Sequence, residues 1–361
     1  MVGSFLRPAR LKQARVDWKA GRISAEELSA IEDECIRDLV AKEKSAGLGV
    51  ITDGEFRREA WHLDFMWAFD GVAHKPTETG LPFHDEAAKI DDTYLTGKIA
   101  YRGGHPFIDH FRFVQDLEDE KCVAKLTIPA PAQFFEQFAM PFNLEATRRY
   151  YKTDEELAND IVAAYRAFIA DVYAAGCRNL QFDDCSWGMV VDPHAEQFFG
   201  VDAAGLERVK EALLDVNNRA LEGRPADLTV NTHVCRGNFH STWACEGGYD
   251  EVADFLLARE NVVAFFLEFD DARSGGFEPL AKVPAGKKVV LGLVTTKSAA
   301  LEDPAAVVAR IHEAEKYVPL ESLCLSPQCG FASCEIGNKL TEDEQWAKVR
   351  LVREVAEQVW G

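Results

Sequence analysis

Apolar residues recur along the chain in short runs of four to eight, and between the runs the spacing changes to three and four. The runs predict eight strands, at residues 2–5, 50–55, 124–129, 179–184, 228–235, 263–270, 288–295 and 322–326. Each is rich in Val, Ile, Leu or Phe, as strands buried on both faces are. Helical stretches separate them and carry readable ends. Ser24 with Glu27 predicts a capping box, after which Leu28, Ile31, Cys35 and Leu39 repeat at helical spacing until Gly47. Thr153 with Glu156 opens another helix, which carries Ile161, Tyr165, Phe168 and Val172 to Gly176. Thr341 with Glu344 opens the last, with Trp346, Val349, Val352, Val355 and Val359 on one stripe.

Strands that alternate with helices over the whole length predict an α/β fold, a (β/α)8 TIM barrel spanning residues 1–361 as one catalytic domain. An open doubly wound sheet is the alternative. Residues 70–104 break the rhythm with many polar positions and a short apolar run at 98–101, and read as a hairpin excursion over the barrel mouth. A strand ending at Ser4 implies either a native chain that extends upstream of Met1 or an unusually short first strand.

Composition narrows the class. With 47% hydrophobic residues in 361, the chain can bury a large core. A formal charge of −20 argues against nucleic acid and anionic membranes as partners, because both select clustered Lys and Arg. No apolar run reaches the roughly 20 residues that span a bilayer, and Val2-Gly3-Ser4-Phe5 reads as a strand rather than a signal peptide. Nine cysteines without framework spacing fit a reducing cytoplasm.

Barrel enzymes build their sites from the C-terminal ends of the strands, and the reactive residues here collect at those ends. They include Ser4, Glu55, Asp183 with Asp184, His233 with Cys235, Glu268 with Asp270, and Cys329. Residues two apart on a strand point the same way, so His233 and Cys235 present an imidazole and a thiol side by side. With Glu268 and Cys329 they predict a Zn2+ site of one nitrogen, two sulfurs and one oxygen. Asp270 competes for the carboxylate position; His240, in a Gly/Asn/Ser loop, and Cys334 are weaker candidates. Two thiolates and a carboxylate would leave the ion electron-rich. That suits holding an incoming thiol as a nucleophilic thiolate better than activating water. The implied chemistry is alkyl transfer to a thiol.

The segments Val2-Gly3-Ser4-Phe5, Thr52-Asp53-Gly54-Glu55-Phe56-Arg57-Arg58, Gln181-Phe182-Asp183-Asp184, Thr232-His233-Val234-Cys235, Leu267-Glu268-Phe269-Asp270 and Ser326-Pro327-Gln328-Cys329-Gly330 span almost the whole chain in order. In them the chain resembles the catalytic barrel of cobalamin-independent methionine synthase, and more closely its short single-barrel relatives. The resemblance implies a zinc-dependent methyltransferase that makes methionine from homocysteine, with zinc on His233, Cys235, Glu268 and Cys329. It also implies that Ser4 helps hold the substrate carboxylate and that Glu55 and Asp183 hold its ammonium group. Two carboxylates at a barrel mouth suit a cationic amine on independent grounds, although a salt bridge from Glu55 or Asp183 to Arg57 or Arg58 is the plainer alternative.

Departures from the family pattern bear on the methyl donor. The family places a tryptophan after strand three and reads Asp-Glu-Pro after strand four, where this chain has 127–135 without tryptophan and Asp183-Asp184-Cys185. Methyltetrahydrofolate and a corrinoid protein are therefore both expected donors to test. Trp61, His62, Phe65 and Trp67 follow strand two, and Trp187 follows strand four. Trp61 and Trp187 are candidate walls of the donor pocket, and His62 a candidate hydrogen-bond donor to the leaving group. Packing on the barrel rim is the competing expectation for Phe65 and Trp67. Alternatives are alkyl transfer to coenzyme M, whose sulfonate would meet Glu55 and Asp183 unfavourably, and a non-catalytic zinc barrel. Uroporphyrinogen decarboxylases share the barrel but lack the His-x-Cys…Cys set.

Overall fold

In the computed structural model, which describes Met1–Gly361, twelve strands follow one another along the chain. They are β1 (Val50–Ile51), β2 (Asp70–Lys75), β3 (Leu81–Pro82), β4 (Ala87–Ala88), β5 (Asp92–Ala100) and β6 (Val123–Ala124), then β7 (Leu126–Pro129), β8 (Asn179–Asp183), β9 (Thr229–Val234), β10 (Ala264–Glu268), β11 (Lys288–Val294) and β12 (Leu323–Pro327). Strands β7 to β12 pair in sequential order into one parallel sheet. Parallel neighbours need crossovers, and helices Asp154–Ala174, Ala203–Ala220 and Pro304–Ala314 supply three of them. β1 pairs in parallel with β6, which Lys125 alone separates from β7.

Residues 2–5 close the ring as its eighth stave. The Phe5 amide donates to Gly54 O at 3.1 Å, and the Phe331 amide to Ser4 O at 2.9 Å. Thr52 Oγ1 donates to Gly3 O at 2.8 Å. This is a (β/α)8 barrel, as the run-and-helix alternation predicted. Two expected strands are corrected. Residues 2–5 form no regular ladder, because their backbone bonds are taken up one at a time by residues 52–54, by Phe331 and by Gln181, whose Nε2 donates to Val2 O at 3.0 Å. The run 50–55 stops pairing at Ile51; Gly54 (φ 63°) and Glu55 (φ 61°) then turn the backbone into the left-handed region. For a residue with a Cβ such as Glu55, that region costs roughly 1–2 kcal/mol.

The helix ends follow the side-chain chemistry. Ser24 and Glu27 form the reciprocal capping box, as do Thr341 and Glu344. Thr153 caps the amide of Glu156 at 3.2 Å, but the Glu156 carboxylate turns to the Lys152 amide instead. Residues 70–100 form an antiparallel hairpin of β2 and β5, with β3 and β4 paired near its tip. The tip rests on the loop after β9, where the His84 amide bonds Trp243 O at 2.7 Å and Phe83 meets Phe239. Trp67 anchors the hairpin base, donating to Thr93 Oγ1 at 2.9 Å and stacking on His74, while Phe65 lies in the core.

Closure demands a close approach between the two ends of the barrel. A Cβ on Gly330 would fall 1.9 Å from Ser4 Oγ and 3.0 Å from Ser4 N. Gly330→Ala is expected to loosen the 2–5 stave and destabilise the fold by about 1–3 kcal/mol, visible as a lowered Tm. An unchanged Tm would show that this contact does not hold the ring shut.

The core also buries ionisable groups. Glu136 is 3% exposed, and burial, reinforced by Asp184, pushes its pKa up to about 8. The folded chain then keeps this proton in a pH range where the unfolded chain has lost it, so the group's contribution to stability falls as pH rises from about 4.5 to 8. Glu136→Gln mimics the protonated acid at every pH. Wild type is expected to lose stability relative to this variant between pH 5 and 8.5, by on the order of a few kcal/mol in urea titrations. A constant gap would rule out the buried proton.

Candidate metal centre

Pairing between neighbouring strands sets the positions of the reactive side chains. β8 and β9 run in register with Asp183 opposite His233, and β9 and β10 with His233 opposite Phe266. His233 and Cys235 then project together, and Cys329 arrives from the turn after β12. The ligand atoms of these three buried residues lie within 4.8 Å of one another. His233 Nδ1 is 3.2 Å from Phe266 O, where it can only donate, so its proton belongs there. That leaves Nε2 as a lone pair, and this buried atom has no partner in the protein. A histidine held by a backbone carbonyl through one nitrogen and free at the other is arranged as a metal ligand.

The thiols complete this picture. Hydrogen bonds from Cys185 and Cys329, helped by His233, hold the Cys235 pKa well below its ordinary value. Burial opposes protonation of His233, yet Cys235 and the carboxylates of Asp183 and Glu268 raise its pKa. A thiophilic cation entering this pocket would displace the protons of its thiols. Cys185, not assigned from the chain pattern, lies 3.3 Å from Cys235 between sulfurs. The short helix Ser186–Val190 brings it there, resting on the Cys235 carbonyl because Gly188 has no Cβ; one would fall 2.3 Å from that oxygen.

The expected fourth ligand is not in this triplet. Glu268 Oε1 accepts from Arg273 at 2.6 Å, and Oε2 from the Arg236 amide at 2.7 Å and Gln328 Nε2 at 2.6 Å. Buried cations thus claim the carboxylate. Asp270 is likewise tied to Lys297 at 3.0 Å. His240 pairs with Glu86 of the hairpin at 2.7 Å, and Cys334 bridges to Ala60, so neither joins the sulfur cluster. Arg273, Gln328 and Lys297 escaped sequence reasoning because nothing in their spacing marks them as partners of Glu268.

The two acids expected to bind an amine are both buried. Glu55 Oε1 accepts from Thr127 Oγ1 at 2.9 Å and lies 3.5 Å from Arg58, but Oε2 has no partner. Arg57 goes elsewhere, to Glu32 and Asp33. Burial raises the Glu55 pKa despite Arg58 and Arg7. Burial likewise pushes Asp183 up to about 7 against the pull of His233, and Glu55 adds to the rise. Ser4 Oγ accepts the Ala332 amide at 3.3 Å, beside Gly330.

The aromatic group divides. His62 is buried with Nδ1 unpartnered, and burial lowers its pKa to about 3. It stays neutral at physiological pH, so it can hydrogen-bond but not act as a cationic acid. Trp61 packs against it with ring centres 4.5 Å apart. Trp187 is fully buried in the hydrophobic core, which leaves no ring face open as a donor wall.

With this geometry established, comparison places the chain among known proteins. Residues 145–358 match the model of the cobalamin-independent synthase catalytic domain. The chain is 43% identical over 361 residues to YxjG of Bacillus subtilis (strain 168), an uncharacterized protein, covering 99% of this chain and 93% of that one. It is 24% identical over 343 residues to a methionine synthase of Saccharolobus solfataricus, covering 91% and 86%. A crystal structure from Listeria monocytogenes, provisionally assigned as a vitamin-B12 independent methionine synthase, superposes with TM-score 0.78 at 36% identity, covering 100% and 96%. The chain belongs to the cobalamin-independent synthase catalytic-domain family.

Proposed function

We propose that this barrel transfers a methyl group to a zinc-activated thiol, with homocysteine as acceptor and methionine as product. The observation that carries the reading is the buried, unpartnered Nε2 of His233 beside the sulfurs of Cys235 and Cys329. One imidazole lone pair and two thiols form a donor set that zinc favours over hard cations. When bound, zinc would hold the acceptor as a thiolate and keep its sulfur nucleophilic near neutral pH.

The protein's own part is orientation. Glu55 and Asp183 are acids raised by burial, and each gains from a cation brought close. An α-ammonium group meets that need, with Glu55 Oε2 as an open acceptor. Ser4, at the closing stave, offers its hydroxyl to the carboxylate end. A thiol held at both ends attacks in a fixed line, which converts binding into rate. For the donor, turnover with methyltetrahydrofolate (mono- and polyglutamate), methylcobalamin and a simple sulfonium compound separates folate from corrinoid chemistry. The membrane plays no part in this reading, and no helix is long and apolar enough to cross one.

Cys235→Ser is expected to lose most bound zinc and to lower activity roughly 100-fold or more, read by metal analysis beside turnover. Full activity in this variant would end the metal-thiol reading. Asp183→Asn should raise the KM for homocysteine about 10- to 100-fold, as loss of a charge-assisted hydrogen bond of about 1.5–3 kcal/mol implies. An unchanged KM would remove Asp183 from the amine site.

A further inference from the structure

We infer, given the homocysteine site proposed above, that Gln181 is a positioning residue for Asp183. Its amide stands between that acid and the buried ammonium of Lys125 and keeps the two from pairing. Gln181 and Asp183 are two apart on β8 and share a face. Lys125 lies on the neighbouring stave, two residues before Thr127, which pairs with Gln181. Gln181 Oε1 accepts from Lys125 Nζ at 2.7 Å, and Nε2 donates to Asp183 Oδ1 at 2.7 Å and to Val2 O at 3.0 Å. All three side chains are buried.

Only this orientation of the amide satisfies its neighbours. Turned over, its oxygen would face a carboxylate and a carbonyl while its N–H groups met an ammonium. Both amide hydrogens and the amide oxygen are therefore in use. Asp183 is held through Oδ1, which turns Oδ2 to the substrate's side.

Lys125 makes this bridge matter. Burial lowers its pKa to about 8, which leaves it an ammonium at neutral pH. Its other contacts are Met1 O at 2.5 Å and the Phe266 ring, whose centroid lies 5.0 Å from Nζ. None of these neighbours carries a charge, so the attraction of Asp183 acts on Lys125 across the amide. A direct ion pair would neutralise the acid that a substrate ammonium needs. The Lys125 ammonium and the α-ammonium of homocysteine are thus rivals for one carboxylate, and Gln181 reserves it for the substrate.

Binding to the zinc-loaded protein tests this without a methyl donor. Calorimetry compares homocysteine with γ-mercaptobutyrate, which is homocysteine without its amino group. Gln181→Met is expected to weaken homocysteine about 10-fold or more and γ-mercaptobutyrate by less than about twofold. Adding Lys125→Met removes the rival cation and should restore homocysteine to within about threefold of wild type. A purely structural role would instead weaken both thiols and make the second substitution add to the first. That result, or an unchanged preference for homocysteine in Gln181→Met, would overturn the inference and leave the amine site standing. Equal binding of the two thiols to wild type would overturn both. Should Gln181→Met fail to fold, a crystal structure of the zinc-loaded wild type with homocysteine decides. The amine on Asp183 with the Gln181 bridge intact supports the inference; a direct Lys125–Asp183 ion pair refutes it.

Discussion

The pairing of β9 with β8 and with β10 is the constraint on which the site depends. Side chains alternate across a strand with a period of two, so a one-residue slip would carry Asp183, His233 and Cys235 from the barrel interior to the helix side. The same register puts Phe266 O within reach of His233 Nδ1 and so selects the tautomer that leaves Nε2 as a lone pair. Geometry and protonation come from one ladder of backbone hydrogen bonds. Tyr249 reinforces it, with its hydroxyl accepting the Glu268 amide at 2.9 Å and donating to Val234 O at 3.2 Å, across the ends of β9 and β10.

Around this ladder, buried carboxylates take two different roles. Glu268 and Asp270 sit among Arg273, Lys297 and Gln328, where both Glu268 oxygens and Asp270 Oδ2 find donors and Asp270 Oδ1 lies 3.7 Å from Arg273 without a hydrogen bond. Such a network pins three strand ends together. Glu55 and Asp183 are less well compensated; their pKa values stand high and one oxygen of Glu55 has no partner. Buried acids with raised pKa values beside a candidate metal site are where a cationic substrate group offsets the cost of burial. The left-handed backbone at Glu55 belongs to the same pattern, with local strain held in place by the packed barrel around it.

The chain's own pattern determined the staves, the caps and the pairing of His233 with Cys235, because each depends on neighbours within a few residues. Period two places an imidazole and a thiol on one face whatever surrounds them, and Ser24 and Thr341 cap whatever helix follows. Cys329 was also legible, since the end of a barrel strand has only one place to go. Tertiary structure alone decided the rest. Residues 2–5 look like any apolar strand, yet three separate segments share their hydrogen bonds. Glu268 stands at a ligand's position in the sequence, but Arg273, Gln328 and the Arg236 amide converge on it from distant loops and claim its oxygens. Trp187 reads as a pocket wall and folds into the core. Cys185 reaches Cys235 because the short helix after β8 lies against the Cys235 carbonyl, where Gly188 has no Cβ. Local sequence sets which groups can react, while the competition for their lone pairs and charges is settled by residues far apart in the chain, which only folding brings together.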